Sequence, residues 1–149
     1  GSLHELEERE MLEKGLIARE AVEVMKASAQ IGPQGFLPYA RHAIKQLSVI
    51  RSAAEANLSF FGVLEDDLML AYPPASIRRN VFQALERLPP SADLLYLEMC
   101  FENCSHLCYL EGEDLIARSA SPACSAAILY TLKGARRILE LCDPVFHAI

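Results

Sequence analysis

No excess of positive charge runs along this chain. Lys and Arg total 14 against 20 Asp and Glu, a net charge of −6, and the pI is near 5.2. The basic residues include two isolated pairs, Arg78-Arg79 and Arg136-Arg137, and no stripe. That balance argues against a protein built to coat nucleic acid or anionic lipid. Long apolar runs are also missing, so no segment reads as a membrane span, and the charged first thirty residues do not resemble a signal peptide. There is no internal repeat, no low-complexity tract and no linker composition. No Gly-rich phosphate loop is present either: IGPQG, residues 31–35, is a turn, too short for one and without its Lys.

What remains is ordinary globular composition, 52% hydrophobic and 23% charged over 149 residues. One domain spanning 1–149 is the expectation, long enough to bury a core. Five cysteines are present, Cys100, Cys104, Cys108, Cys124 and Cys142. Three of them fall in CFENCSHLC, a Cys-x3-Cys-x3-Cys spacing that is uncommon for structural zinc. A disulfide from this loop to Cys124 fits a secretory protein, and reduced thiols fit a cytosolic one.

Hydrophobic periodicity sets out the elements. Residues 1–30 read as a helical segment, Leu3 to Ser28, with a break near Gly15. IGPQGFLP reads as a connector because it holds two Gly and two Pro. A helix then spans Tyr39 to Glu55, and LSFFGVLE is a buried strand ended by acids. Ala75 to Leu88 is a helix closed by Pro89-Pro90, and DLLYLEMC a second strand. Phe101 to Arg118 reads as a surface loop, SPACSAAILYT as a third strand, and KGARRILELC as a helix. Strands alternating with helices of ten or more residues predict an α/β layered fold with a mostly parallel central sheet flanked by helices.

FFGVLEDDLMLAY, residues 60–72, places three carboxylates between two apolar runs. Buried carboxylates need a partner, a proton or a metal. In open α/β sheets ligands gather at the carboxyl ends of strands, which is where Glu65, Asp66 and Asp67 would emerge. Hard cations such as Mg²⁺ and Mn²⁺ bridge one or two carboxylates to a substrate's phosphates. A solvated acidic cap is the competing reading.

The order of YARHAIKQLSVIRSAAEA, FFGVLEDDLML, ADLLYLEMC and ACSAAILYTLKGARRILEL resembles family 25 glycosyltransferases, the group of bacterial lipopolysaccharide glycosyltransferases and collagen β-galactosyltransferases. The resemblance covers roughly two-thirds of the chain, from about Gly35 to Leu141. It implies a GT-A-like, Rossmann-like fold, a UDP-sugar donor with galactose favoured, and a Mn²⁺ or Mg²⁺ ion. Inverting transfer would go to a glycan or protein hydroxyl. By position, Glu65, Asp66 and Asp67 match the family's acidic motif. Asp66 and Asp67 would be the metal ligands, and all three acids would bind the donor diphosphate. Lys133 and Gly134 match a Lys-Gly-Ala turn, where a helix start packing on the sheet is the simpler role. His42 stands in an Arg-His context instead of Ser-His, and a structural role suits it better. Inverting transfer needs a general base, for which Glu98 is preferred over Glu102. Arg118 suits a phosphate contact or a surface ion pair equally.

Relatives begin with an apolar strand bearing an Asn-Leu-Asp-type motif, and here the first thirty residues are helical. The resemblance therefore implies a domain shortened at both ends, and completion by a second copy is compatible with it. The ER or Golgi lumen follows for a eukaryotic source, the cytoplasm for a bacterial one. Two other functions compete: a non-catalytic binding or assembly module on a degenerate version of this fold, and a metal-dependent hydrolase or phosphotransferase on an unrelated α/β fold.

Overall fold

The computed structural model describes residues 3–29, 31–98, 107–109, 116–119 and 126–145. Contacts divide the chain into two units, one comprising Gly1–Leu58 with Leu132–Ile149 and the other Ser59–Thr131.

The first unit is helical. α1 (Leu3–Glu13) and α2 (Arg19–Ala27) are separated where the sequence places Gly15, which adopts φ +64°. A left-handed residue after a helix costs glycine nothing, and it lets Leu16 N–H return to Met11 O at 2.9 Å. The next residue, Ile17, pairs with Val145 as a single parallel bridge. Ala18 N–H donates to Val145 O at 2.9 Å, and Val145 N–H to Leu16 O at 3.2 Å. The far end of the chain is thereby stitched into the α1–α2 turn, and the Val145 side chain is fully buried.

α3 spans Gly32–Glu55, seven residues more than the sequence reading allowed. The expected connector IGPQGFLP is mostly its first two turns. Pro33 sits at the helix start, where its missing N–H is no loss, but Pro38 lies inside and removes a ladder bond. An interior proline costs about 3 kcal/mol. Against it stand Phe36 and Leu37, both buried, each contributing about 1.5–3 kcal/mol. Burial outweighs the proline and extends the helix. Phe36, Leu37, Ala40, Ala43 and Leu47 then form a stripe against Ala21, Val22 and Met25 of α2. α5 (Leu132–Cys142) begins where its Lys-Gly-Ala sequence places it and packs on α3. Ion pairs Arg41–Glu7, Lys26–Glu8 and Arg51–Asp143 lie on the surface of this unit and contribute little beyond fixing register. None of its described helices is long and apolar enough to cross a membrane.

The second unit holds β1 (Phe60–Leu64), α4 (Pro74–Arg87), β2 (Leu94–Tyr96), β3 (Leu107–Tyr109), β4 (Ala117–Ser119) and β5 (Ala127–Thr131). Its main sheet has the order β1-β5-β2, and both pairings are antiparallel. The expected mostly parallel sheet is corrected on this point. β1 and β2, joined through α4, do run in the same direction, as a strand–helix–strand unit should. They do not pair, because β5 lies between them with opposite polarity. Strand direction is invisible in hydrophobic pattern, which reports burial only. The expected surface loop before Arg118 also contains structure: β3 and β4 form a two-stranded antiparallel sheet, preceded on β4 by the buried Ile116.

Register divides the main sheet into two faces. Phe61, Val63, Leu94, Tyr96, Ile128 and Tyr130 share one; Phe60, Gly62, Leu64, Leu95, Ala127 and Leu129 share the other. On the first, Phe61 stacks on its partner Tyr130 with centroids 5.2 Å apart, and Tyr130 and Ile128 are buried. On the second, Leu129 lies across Gly62, where an added Cβ would meet Leu129 Cδ2 at 2.8 Å.

Burial, reinforced by the neighbouring Tyr96, pushes the Tyr130 phenol up to about 12. An unfolded tyrosine ionises near 10, so above that pH the unfolded chain loses a proton that the folded chain keeps. Stability is therefore intact below about pH 10 and falls as pH rises toward 12. Urea midpoints measured from pH 8 to 12 should drop over that window by about 2 kcal/mol of stability. Tyr130→Phe should flatten the drop without abolishing it, since Tyr96 is shifted the same way by burial.

Candidate functional site

Two strand ends meet the start of β5. Glu65 N–H donates to Ala126 O at 2.8 Å, and Leu97 N–H donates to Ala127 O at 2.9 Å. The residues following β1 and β2 are thus hung from consecutive carbonyls of one central strand. They stand on opposite sides of it, about 10 Å apart by two interstrand spacings. This is the carboxyl edge of both β1 and β2. It brings the Glu65-Asp66-Asp67 turn and Glu98 to the same end of the sheet.

The four carboxylates are not equivalent. Alternation carries Glu65 on from Phe61 and Val63, and Glu98 on from Leu94 and Tyr96, so both continue the face that buries Tyr130. Both are half-buried, and both are engaged in interactions within the protein. The Glu98 Oε2 atom is shielded from solvent. Asp66 and Asp67 occupy the turn itself, closed by Leu68 N–H to Glu65 O at 3.4 Å, and both are exposed.

The apolar run after the turn is largely exposed, and this decides how costly the acids are. Met69 is 89% exposed and Tyr72 67% exposed, and Leu64 on the other side is 60% exposed. Asp66 and Asp67 therefore keep their water and need no partner for the fold to tolerate them. Only Glu65 carries any desolvation.

Among the described residues no group of three or more His, Cys, Asp and Glu is placed to hold a metal ion. An all-protein cage is accordingly not what these side chains form. Two exposed carboxylates on one tight turn do match the donor set of Mg²⁺ or Mn²⁺ bound chiefly by phosphate and water, where the protein supplies one or two oxygens. Asp66 and Asp67 fit that role.

The other sequence candidates separate. Lys133 and Gly134 open α5, where Gly134 and Ala135 are buried in helix packing, the structural role preferred for them. His42 lies on α3 with Nε2 3.0 Å from Gln46 Nε2, a contact within the helix. Arg118 is on β4 and exposed. Glu102, Cys100, Cys104 and Cys124 lie outside the described residues, and with them the expected disulfide. Cys108 is an exposed free thiol, and Cys142 is a half-buried one whose pKa burial raises. Sequence reasoning missed β3 and β4, although the short apolar run Leu115-Ile116-Ala117 between Asp114 and Arg118 was the available signal. No family model, curated protein or solved structure matches the chain.

Because Asp66 and Asp67 are solvated, replacing both by Asn should leave stability within about 0.5 kcal/mol of the parent in urea denaturation. A loss of 2 kcal/mol or more would show that the turn is held by its charges.

Proposed function

We propose that this chain carries the donor-binding part of a UDP-sugar-dependent, inverting glycosyltransferase of GT-A-like fold, with galactose the favoured sugar and a glycan or protein hydroxyl as acceptor. One observation carries the reading: two strands that run in the same direction deliver a two-aspartate turn and a half-buried glutamate to one edge, on either side of β5. The resemblance of the motif order to family 25 glycosyltransferases supports it.

In this reading Asp66 and Asp67 hold a Mn²⁺ or Mg²⁺ ion, which when bound offsets the charge of the donor's diphosphate and of the departing UDP. Glu65, anchored through its backbone to Ala126, fixes the turn that carries them. Glu98 takes the proton of the acceptor hydroxyl as that oxygen attacks the anomeric carbon from the face opposite the diphosphate. The new C–O bond forms while the old one breaks, and its electron pair leaves with UDP. The separation of about 10 Å between the two strand ends leaves room for a sugar between donor turn and base. That room is what inversion needs.

A second reading is a non-catalytic binding or assembly module. The apolar side chains exposed directly after the acids, Met69, Leu70 and Tyr72, favour it.

Calorimetric titration of UDP with Mn²⁺ distinguishes the two. The transferase reading expects binding that disappears with EDTA and weakens at least tenfold in Asp67→Ala. A Glu98→Gln variant should bind UDP as the parent does while losing transfer about a hundredfold or more. Absence of metal-dependent UDP binding in the parent would overturn the donor site and leave the binding-module reading.

A further inference from the structure

Among the described residues, β2 pairs along one of its edges, with β5. Thr131 N–H donates to Asp93 O at 3.1 Å and Leu97 N–H to Ala127 O at 2.9 Å, so the main-chain groups of residues 93, 95 and 97 point at β5. Those of Leu94 and Tyr96 point the other way. A cavity of about 510 Å³ is lined, among the described residues, by Leu88, Pro89 and residues 91–96 on one side and residues 116–119 on the other. No residue of β5 lines it. The volume lies within the range of about 300–1,000 Å³ usual for small-molecule sites. It is separate from the acidic turn: none of Glu65, Asp66, Asp67 or Glu98 borders it.

Leu88, Pro89, Leu95 and Ile116 make much of the wall apolar. Among the described residues two charged ones border it, and they differ in availability. Asp93 is already engaged within the fold. Arg118 is exposed and takes no part in the ion pairs among the described residues. A guanidinium is the side chain best shaped to receive a carboxylate through two parallel hydrogen bonds. Tyr96, on the same wall, is kept protonated by burial and adds no negative charge. A dianionic phosphate would require several donors to replace its hydration, and one cation does not supply them.

We propose that this cavity binds a small apolar carboxylate, its hydrocarbon body against Leu88, Leu95 and Ile116 and its carboxylate on Arg118. The outward main-chain groups of Leu94 and Tyr96 provide further orienting contacts. The site does not depend on the glycosyltransferase reading, since neither metal nor nucleotide takes part.

The test is an NMR titration of the ¹⁵N-labelled chain with octanoate and, separately, with 1-octanol, in the absence of divalent cations. Saturable shifts confined to residues 88–96 and 116–119 are expected for octanoate. Arg118→Gln should weaken octanoate about tenfold, the loss of one charge-assisted pair, and leave octanol unchanged. Ala92→Phe, which fills the cavity, should abolish binding of both. Arg118 is exposed, so its variant should fold even if the filled one does not. Absence of saturable shifts at these residues, octanoate affinity unchanged by Arg118→Gln, or octanoate binding that survives in a folded Ala92→Phe chain would each overturn the proposal.

Discussion

The sheet of the second unit depends on β5. Its two ladders are antiparallel, and through them Phe60–Leu64 is held in register with Ala127–Thr131 and Leu94–Tyr96 with residues 128–130 of the same strand. An alanine-rich start to this strand, Ala126-Ala127, provides the carbonyls that receive Glu65 and Leu97. A slip of one residue in either ladder would turn Tyr130 from the buried face to the other and move an acid away from the edge. Register is thus fixed by the burial of Tyr130 and Ile128, and the position of the carboxylates follows from it.

Electrostatics at that edge resolves by solvation more than by pairing. Three consecutive acids near buried strands suggest strain that a cation must relieve. The turn instead releases two of them into water and keeps Glu65 alone on the buried face. This makes the acidic turn cheap to maintain without a ligand, and it leaves the two aspartates available for one. Weak intrinsic sites of this kind take a cation mainly when a substrate supplies the remaining ligands. In the proposed transferase the metal and the diphosphate would therefore bind together, each incomplete without the other.

The helical unit shows the same competition between local preference and burial. Pro38 opposes the helix that Phe36 and Leu37 favour, and the two buried side chains win. At Gly15 the two agree, because a residue free to adopt positive φ stands where the chain must turn for Ile17 to meet Val145. The short bridge between those two residues joins parts of the chain more than a hundred positions apart. No local pattern announces it.

Much of the organisation was legible in the sequence. Apolar spacing marked α1, α2, α4 and α5, glycine marked the break between the first two, and β-forming runs marked β1, β2 and β5. Pattern also placed Glu65, Asp66, Asp67 and Glu98 at strand ends, because those residues follow the last apolar positions of their runs. Tertiary structure decided the rest. The antiparallel sense of β5 could not be read, since a buried strand has the same composition whichever way it runs. The exposure of Met69, Leu70 and Tyr72 could not be read either, because hydrophobicity states what a side chain prefers and not what surface remains to cover it. The same holds for the cavity beside β2. It is lined by two segments separated in sequence, the one leading into β2 and the one around β4, which come together only after folding.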